Sequence, residues 1–116
     1  MVDRLNQQLK KGVFEILVLK LINEEDLYGY ELLNRLETES HGTFKLKEGS
    51  LYPILYRLED KGFIESYRKN LSSERKVPRK YYRITETGNQ SLQEMIASWN
   101  DFKTIIDGML SSWREI

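Results

Sequence analysis

At 116 residues, with 40% hydrophobic and 31% charged side chains, the chain has enough material for one domain with a core and too little for two. The absence of cysteine excludes disulfides and thiolate metal sites, and Lys20 and Asn23 interrupt the longest apolar run, which excludes a bilayer span; with no export signal at the N-terminus, a cytoplasmic protein without membrane contact is expected. The net charge of +0 hides a strong polarity, because residues 45–83 carry 11 basic and 5 acidic side chains while both flanks are acidic.

Residues 3–23 read as a helix, with apolar residues at Leu5, Leu9, Val13, Ile16 and Leu17 and then nearly all round from Val18 to Ile22. Two surfaces must cover that second half, and a partner subunit is the expected second one. Gly12 weakens the helix and invites a bend. Glu24, Glu25 and Asp26 form a turn and read as solvated, near a helix start where the macrodipole favours acids. The next helix is expected from about Leu27 to Ser40, closed by His41-Gly42. His41 reads as a capping or surface residue.

The third helix is expected over Gly49 to Lys61, with Leu51, Ile54, Leu55 and Leu58 at i, i+3, i+4 and i+7. Pro53 cannot donate an intrahelical bond, so it is expected in the first turn, with Ser50 as the cap and free N–H groups suited to a phosphate. Phe63 to Lys69 and Lys80 to Ile84 read as a hairpin, its polar tip running from Asn70 to Arg79. From Thr85 a final helix carries a near-heptad seam through Leu92, Met95, Ile96, Trp99, Phe102, Ile106, Met109, Leu110 and Trp113. That helix outruns a domain this small, so its seam calls for a partner. The expected fold is mainly α with a small β-hairpin. Residues 1–84 form a winged helix-turn-helix, and residues 85–116 a dimerisation helix.

An enzyme is disfavoured, since no catalytic constellation, glycine-rich phosphate loop or metal-ligand spacing occurs; no metal and no cofactor are expected. Double-stranded DNA is the favoured partner. Eight basic against two acidic residues between Lys61 and Arg83 exceed what a protein-binding wing needs. RNA is the third choice, because its deep major groove excludes a helix and no base-stacking aromatic sheet is apparent. The DNA-contact candidates are Ser50, Tyr52, Pro53, Tyr56 and Arg57 on the third helix, with Arg68, Lys69, Arg75, Lys76, Arg79 and Lys80 on the ribbon, which Tyr67 and Tyr81 brace. Tyr28 and Tyr30 read as half core, half phosphate contact. The plain alternative is an ordinary core helix beside a solvated cationic loop.

Three blocks sharpen the choice. Tyr28-Gly29-Tyr30-Glu31-Leu32, Gly49-Ser50-Leu51-Tyr52-Pro53-Ile54-Leu55-Tyr56-Arg57-Leu58-Glu59 and Arg79-Lys80-Tyr81-Tyr82-Arg83-Ile84-Thr85-Glu86-Thr87-Gly88 resemble the signature blocks of PadR-type transcriptional regulators. The single final helix is similar to the short subfamily. The resemblance implies a homodimeric repressor with its third helix in the major groove of a near-palindromic operator. It also implies a tryptophan, here Trp99, flanking an interfacial pore for planar aromatic effectors. Ile96, Phe102 and Lys103 lie within a turn of Trp99, and Phe14 or Ile16 is expected as the facing wall. Dimer core alone is the plainer role for Trp99.

Overall fold

Phe14–Glu24 forms the first helix, α1, of the computed structural model, which describes residues 12–70 and 78–111. Gly12 and Val13 form a turn ahead of it, so the helix starts at Phe14 and not before; the expectation for residues 1–11 lies outside the described residues. Glycine is the weakest helix former in that run, which makes it a natural break. Val18, Leu19, Leu21 and Ile22 are buried, four of five successive positions. No partner is needed to cover them, contrary to expectation: the following helices and the sheet of the same chain surround α1.

The acids at the end of α1 and just beyond it are not simply solvated. Arg35 donates to Glu24, to Glu25 at 3.0 Å and to Glu39 at 2.7 Å, and Lys20 also pairs with Glu24. Hydrogen bonds from Lys20 and then Arg35 hold the Glu24 carboxyl below its ordinary range. Asp26 accepts the Tyr67 hydroxyl at 2.6 Å.

Leu27–Tyr28 is a two-residue strand, β1, where the sequence predicts the start of a helix. Helix α2 therefore begins two residues late, at Gly29, and runs to Glu39. Tyr28 is held extended by pairing with Tyr81, and the Glu31 carboxylate accepts its N–H at 3.2 Å. His41 and Gly42 close the helix with φ of 52° and 82°, and the Gly42 N–H returns to the Glu37 carbonyl at 2.8 Å.

Helix α3 spans Glu48–Asp60 and buries Leu51, Ile54, Leu55 and Leu58 as their spacing demands. Its cap is Lys47, whose carbonyl accepts the N–H of Ser50 and of Leu51 at 3.0 Å, so Ser50 is neither the cap nor a free donor. Pro53 consequently sits in the sixth position and not in the first turn. The bond it forgoes would end on the Gly49 carbonyl; Gly49 is exposed, so water can replace the bond, while the leucine face keeps the helix in place.

Strands β2 (Ile64–Lys69) and β3 (Arg79–Ile84) form the hairpin, and the antiparallel order is β1-β3-β2. Leu27, Ile64, Tyr82 and Ile84 face the core, where Tyr82 is buried; Tyr28, Tyr67 and Tyr81 share the other face. The last helix, α4, is Glu86–Leu110, capped by Thr85, whose Oγ1 accepts from the Gly88 N–H at 3.0 Å and donates to the Gly62 carbonyl at 2.6 Å. Leu92 is buried and Met95 packs on the core, but beyond them the helix leaves the domain. The molecule measures 65 × 31 × 20 Å, with a radius of gyration of 16.9 Å, against about 13–14 Å for a compact chain of this length. Among the described residues no helix is long and apolar enough to cross a membrane.

Candidate nucleic-acid interface

The register of the hairpin sets like charges against each other at its free end. Arg68 lies opposite Lys80, and Lys69 lies opposite Arg79. Directly opposed cations destabilise a strand pair, so nothing in the folding of the sheet asks for them. Their cost is eased by aromatic rings. Arg79 lies 4.5 Å above the Tyr28 ring, Lys80 5.6 Å from Tyr82 and Lys69 5.9 Å from Tyr81. Tyr28, Tyr81 and Tyr67 form a row across the three strands, with centroids 5.3 and 5.8 Å apart. An aromatic sheet face therefore exists where the sequence suggested none. Its rings cover one another and lie under cations, and Tyr81 is only 6% exposed, so it offers no platform to a base.

Beside this row, Tyr28, Gly29, Tyr30, Glu48, Tyr52, Pro78, Arg79, Lys80 and Tyr82 line a hollow of about 270 Å³. It joins the free end of the hairpin to the starts of α2 and α3. A Cβ on Gly29 would lie 2.9 Å from the Tyr52 hydroxyl, so glycine is what lets the α3 tyrosine approach the α2 backbone. Burial, followed by the nearby Glu59, pushes the Tyr82 hydroxyl up to about 12, which keeps it neutral. On the rim Tyr30 and Tyr52 are exposed, as is Tyr56 further along α3, and Tyr30 stacks on Tyr28 at 6.4 Å. Tyr30 is thus a surface residue and not half core.

Of the sequence candidates, Tyr28, Tyr52, Arg79 and Lys80 converge on this hollow. Ser50, Pro53 and Tyr56 are exposed on α3, and Arg68 and Lys69 on β2. Arg57 is turned toward α1, where its Nε lies 3.0 Å from Glu15, and Lys61 reaches the same carboxylate at 3.5 Å. Glu15 has no local sequence signal for this role, being 42 residues from Arg57. Arg75 and Lys76 lie outside the described residues.

A second, open hollow of about 690 Å³ lies between α1 and α4, with Glu15, Ile16, Phe63, Met95, Trp99 and Phe102 in its wall. Ile16 does face Trp99 and Phe102 there. Phe14 does not: it packs edge-on against Phe44 at 5.6 Å, on another side of α1. Ile96 and Lys103 lie along α4 outside this wall.

Comparison with known proteins gives this geometry its context. The model of the transcriptional regulator PadR-like family matches residues 18–94. A PadR family regulator from Eggerthella lenta is 34% identical, with a TM-score of 0.82 over 94% of this chain and 91% of that one. A PadR-like regulator from Bacillus cereus is 40% identical, with a TM-score of 0.75 over 89% and 96%. Bacillus subtilis PadR, solved in complex with operator DNA, is 27% identical with a TM-score of 0.64; the match spans 72% of this chain and 46% of that one. The matched region carries the cationic hairpin, the tyrosine-lined hollow and α3 together, and the chain belongs to the PadR-like family of transcriptional regulators.

Proposed function

We propose that this protein is a homodimeric, sequence-specific DNA-binding repressor. The observation that carries the reading is the pair of opposed cations, Arg68 with Lys80 and Lys69 with Arg79, at the free end of the hairpin. A polyanion relieves that repulsion, and duplex DNA is the polyanion whose groove admits a neighbouring helix. The relative in complex with operator DNA, and the name of the Bacillus subtilis protein as a negative transcriptional regulator, support the same reading.

In this reading residues 1–84 are the DNA-binding unit and residues 85–116 the dimerisation helix. Tyr52, Pro53 and Tyr56 enter the major groove, with Ser50 at the edge. Arg68, Lys69, Arg79 and Lys80, together with Arg75 and Lys76, follow the phosphates, and Tyr28 offers its hydroxyl to one. Two copies set their α3 helices about one turn, ~34 Å, apart on a near-palindrome overlapping a promoter. A planar aromatic effector stacked on Trp99 would release the operator by preferring a dimer with the two helices wrongly spaced. Its effect is limited by its differential affinity for the two states.

Fluorescence anisotropy with duplex DNA from upstream of the gene, beside a scrambled duplex, tests this between about 50 and 200 mM salt. A clear preference for the native duplex is expected, with affinity falling steeply as salt rises. Absence of binding to either at low salt overturns the reading and favours a protein partner for the wing.

A further inference from the structure

Arg57 stands at the rim of the exposed face of α3, one residue beyond Tyr56, yet it is engaged elsewhere. Its Nε meets Glu15 Oε1 at 3.0 Å, and Lys61 Nζ lies 3.5 Å from Oε2 of the same carboxylate. One acidic side chain on α1 thus faces two cations of the α3 end. Neither contact is a strong one. Arg57 uses a single nitrogen and not its bidentate fork, Lys61 is at long range, and the two cationic side chains are 55% and 47% exposed. Glu15 is the more enclosed member at 28%, and it sits in the first turn of α1, where the helix dipole favours a negative charge. The carboxylate has reasons to stay, while the cations are held only by exposed contacts, Lys61 lying also 5.9 Å from the Phe63 ring.

We infer that Glu15 is a clasp that withholds Arg57 and Lys61 from DNA phosphates, so that opening it adds contacts to the interface. The inference rests on the DNA-binding reading and assigns it a regulatory residue that lies off the interface. Glu15 also belongs to the wall of the hollow lined by Trp99 and Phe102. Whatever fills that hollow comes against the carboxylate that holds the two cations.

The test is a cycle of four full-length proteins on one operator duplex: wild type, Glu15→Gln, Arg57→Ala/Lys61→Ala, and the triple variant. Glu15→Gln is expected to bind roughly two- to fivefold tighter, the scale of exposed ion pairs. Its log–log salt slope should steepen by about one to two, near 0.9 per phosphate newly neutralised. In the Arg57→Ala/Lys61→Ala background the same change should do nothing, which separates a clasp from general relief of negative charge. Glu15→Ala should reproduce the gain, with thermal melts confirming the fold. Unchanged or weaker binding by Glu15→Gln overturns the clasp, as does a gain that persists without the two cations. If wild type itself binds no duplex at low salt, the DNA reading falls and takes the clasp with it. If wild type binds and Glu15→Gln does not respond, the clasp alone falls.

Discussion

From Thr85 to Met95 the last helix packs on the core of its own chain, and from Ile96 to Leu110 it runs out beyond that core. The first stretch is capped by Thr85, lies against the Phe63 carbonyl at Gly88 and buries Leu92. The second continues the same apolar seam, but Phe102 is 59% exposed, Leu110 61% and Met109 74%. One pattern of spacing therefore has two fates, decided by whether the rest of the chain reaches it. A contiguous apolar strip left in water favours a partner surface. The first half of α4 belongs to the fold, and in the proposed dimer the second half belongs to the interface.

The largest expected effect comes from reversing the character of the second half. Phe102→Glu with Ile106→Glu puts four carboxylates into a two-fold seam. It should raise the dimer dissociation constant by at least about 100-fold, near 3 kcal/mol. Sedimentation velocity should then report a monomer that still shows the helical spectrum of the wild type. An unchanged mass would mean that the seam is not the interface.

Next in size is a contrast between two glycines of the same helix. A Cβ on Gly88 would lie 1.9 Å from the Phe63 carbonyl oxygen, which is backbone and cannot step aside. Gly88→Ala should cost about 3 kcal/mol, at the upper end of overpacking penalties, and lower the melting temperature accordingly. Gly108 meets nothing within 4 Å of such a Cβ, so Gly108→Ala should gain about 0.5–1 kcal/mol of helix propensity. A loss at Gly108 instead would indicate that a partner backbone approaches there, which would locate the tightest point of the seam.

The contrast between near and distant contacts also explains what could be read from the sequence. The α3 leucines and the Thr85 helix start were legible because each is a local pattern, a spacing of three and four or a capping residue ahead of a helix. Strand β1 was not, since two residues become a strand only when Tyr81 and Tyr82 arrive from more than fifty positions away. Pro53 in the interior of α3 was misjudged because local rules place proline in a first turn, whereas buried leucines on both sides of it outweigh one missing bond. For the site, the hairpin cations were visible as a charge cluster, but their opposition in pairs depends on register. The diversion of Arg57 to Glu15 and of Phe14 to Phe44 depends on how α1 lies against its neighbours. No spacing within the chain encodes those meetings.

The most gradual effect, spread over two pH units, separates the buried half of the molecule from the seam by chemistry. Tyr82 is 3% exposed, and burial and then Glu59 push its hydroxyl up to about 12. The fold thus favours the neutral phenol, and this contribution is fully present below the ordinary tyrosine value near 10. It is lost as pH rises from there through about 12: roughly 1.4 kcal/mol by pH 11 and up to about 2.7 kcal/mol in all. Urea unfolding at pH 9, 10 and 11 should show that decline in wild type and a shallower one in Tyr82→Phe. Because Tyr82 is covered by its own chain, the monomeric Phe102→Glu/Ile106→Glu variant should decline just as steeply as wild type. If breaking the seam flattened the alkaline loss, the burial of Tyr82 would depend on the partner, and the division between a self-sufficient fold and a partner-dependent seam would have to be drawn further back along α4.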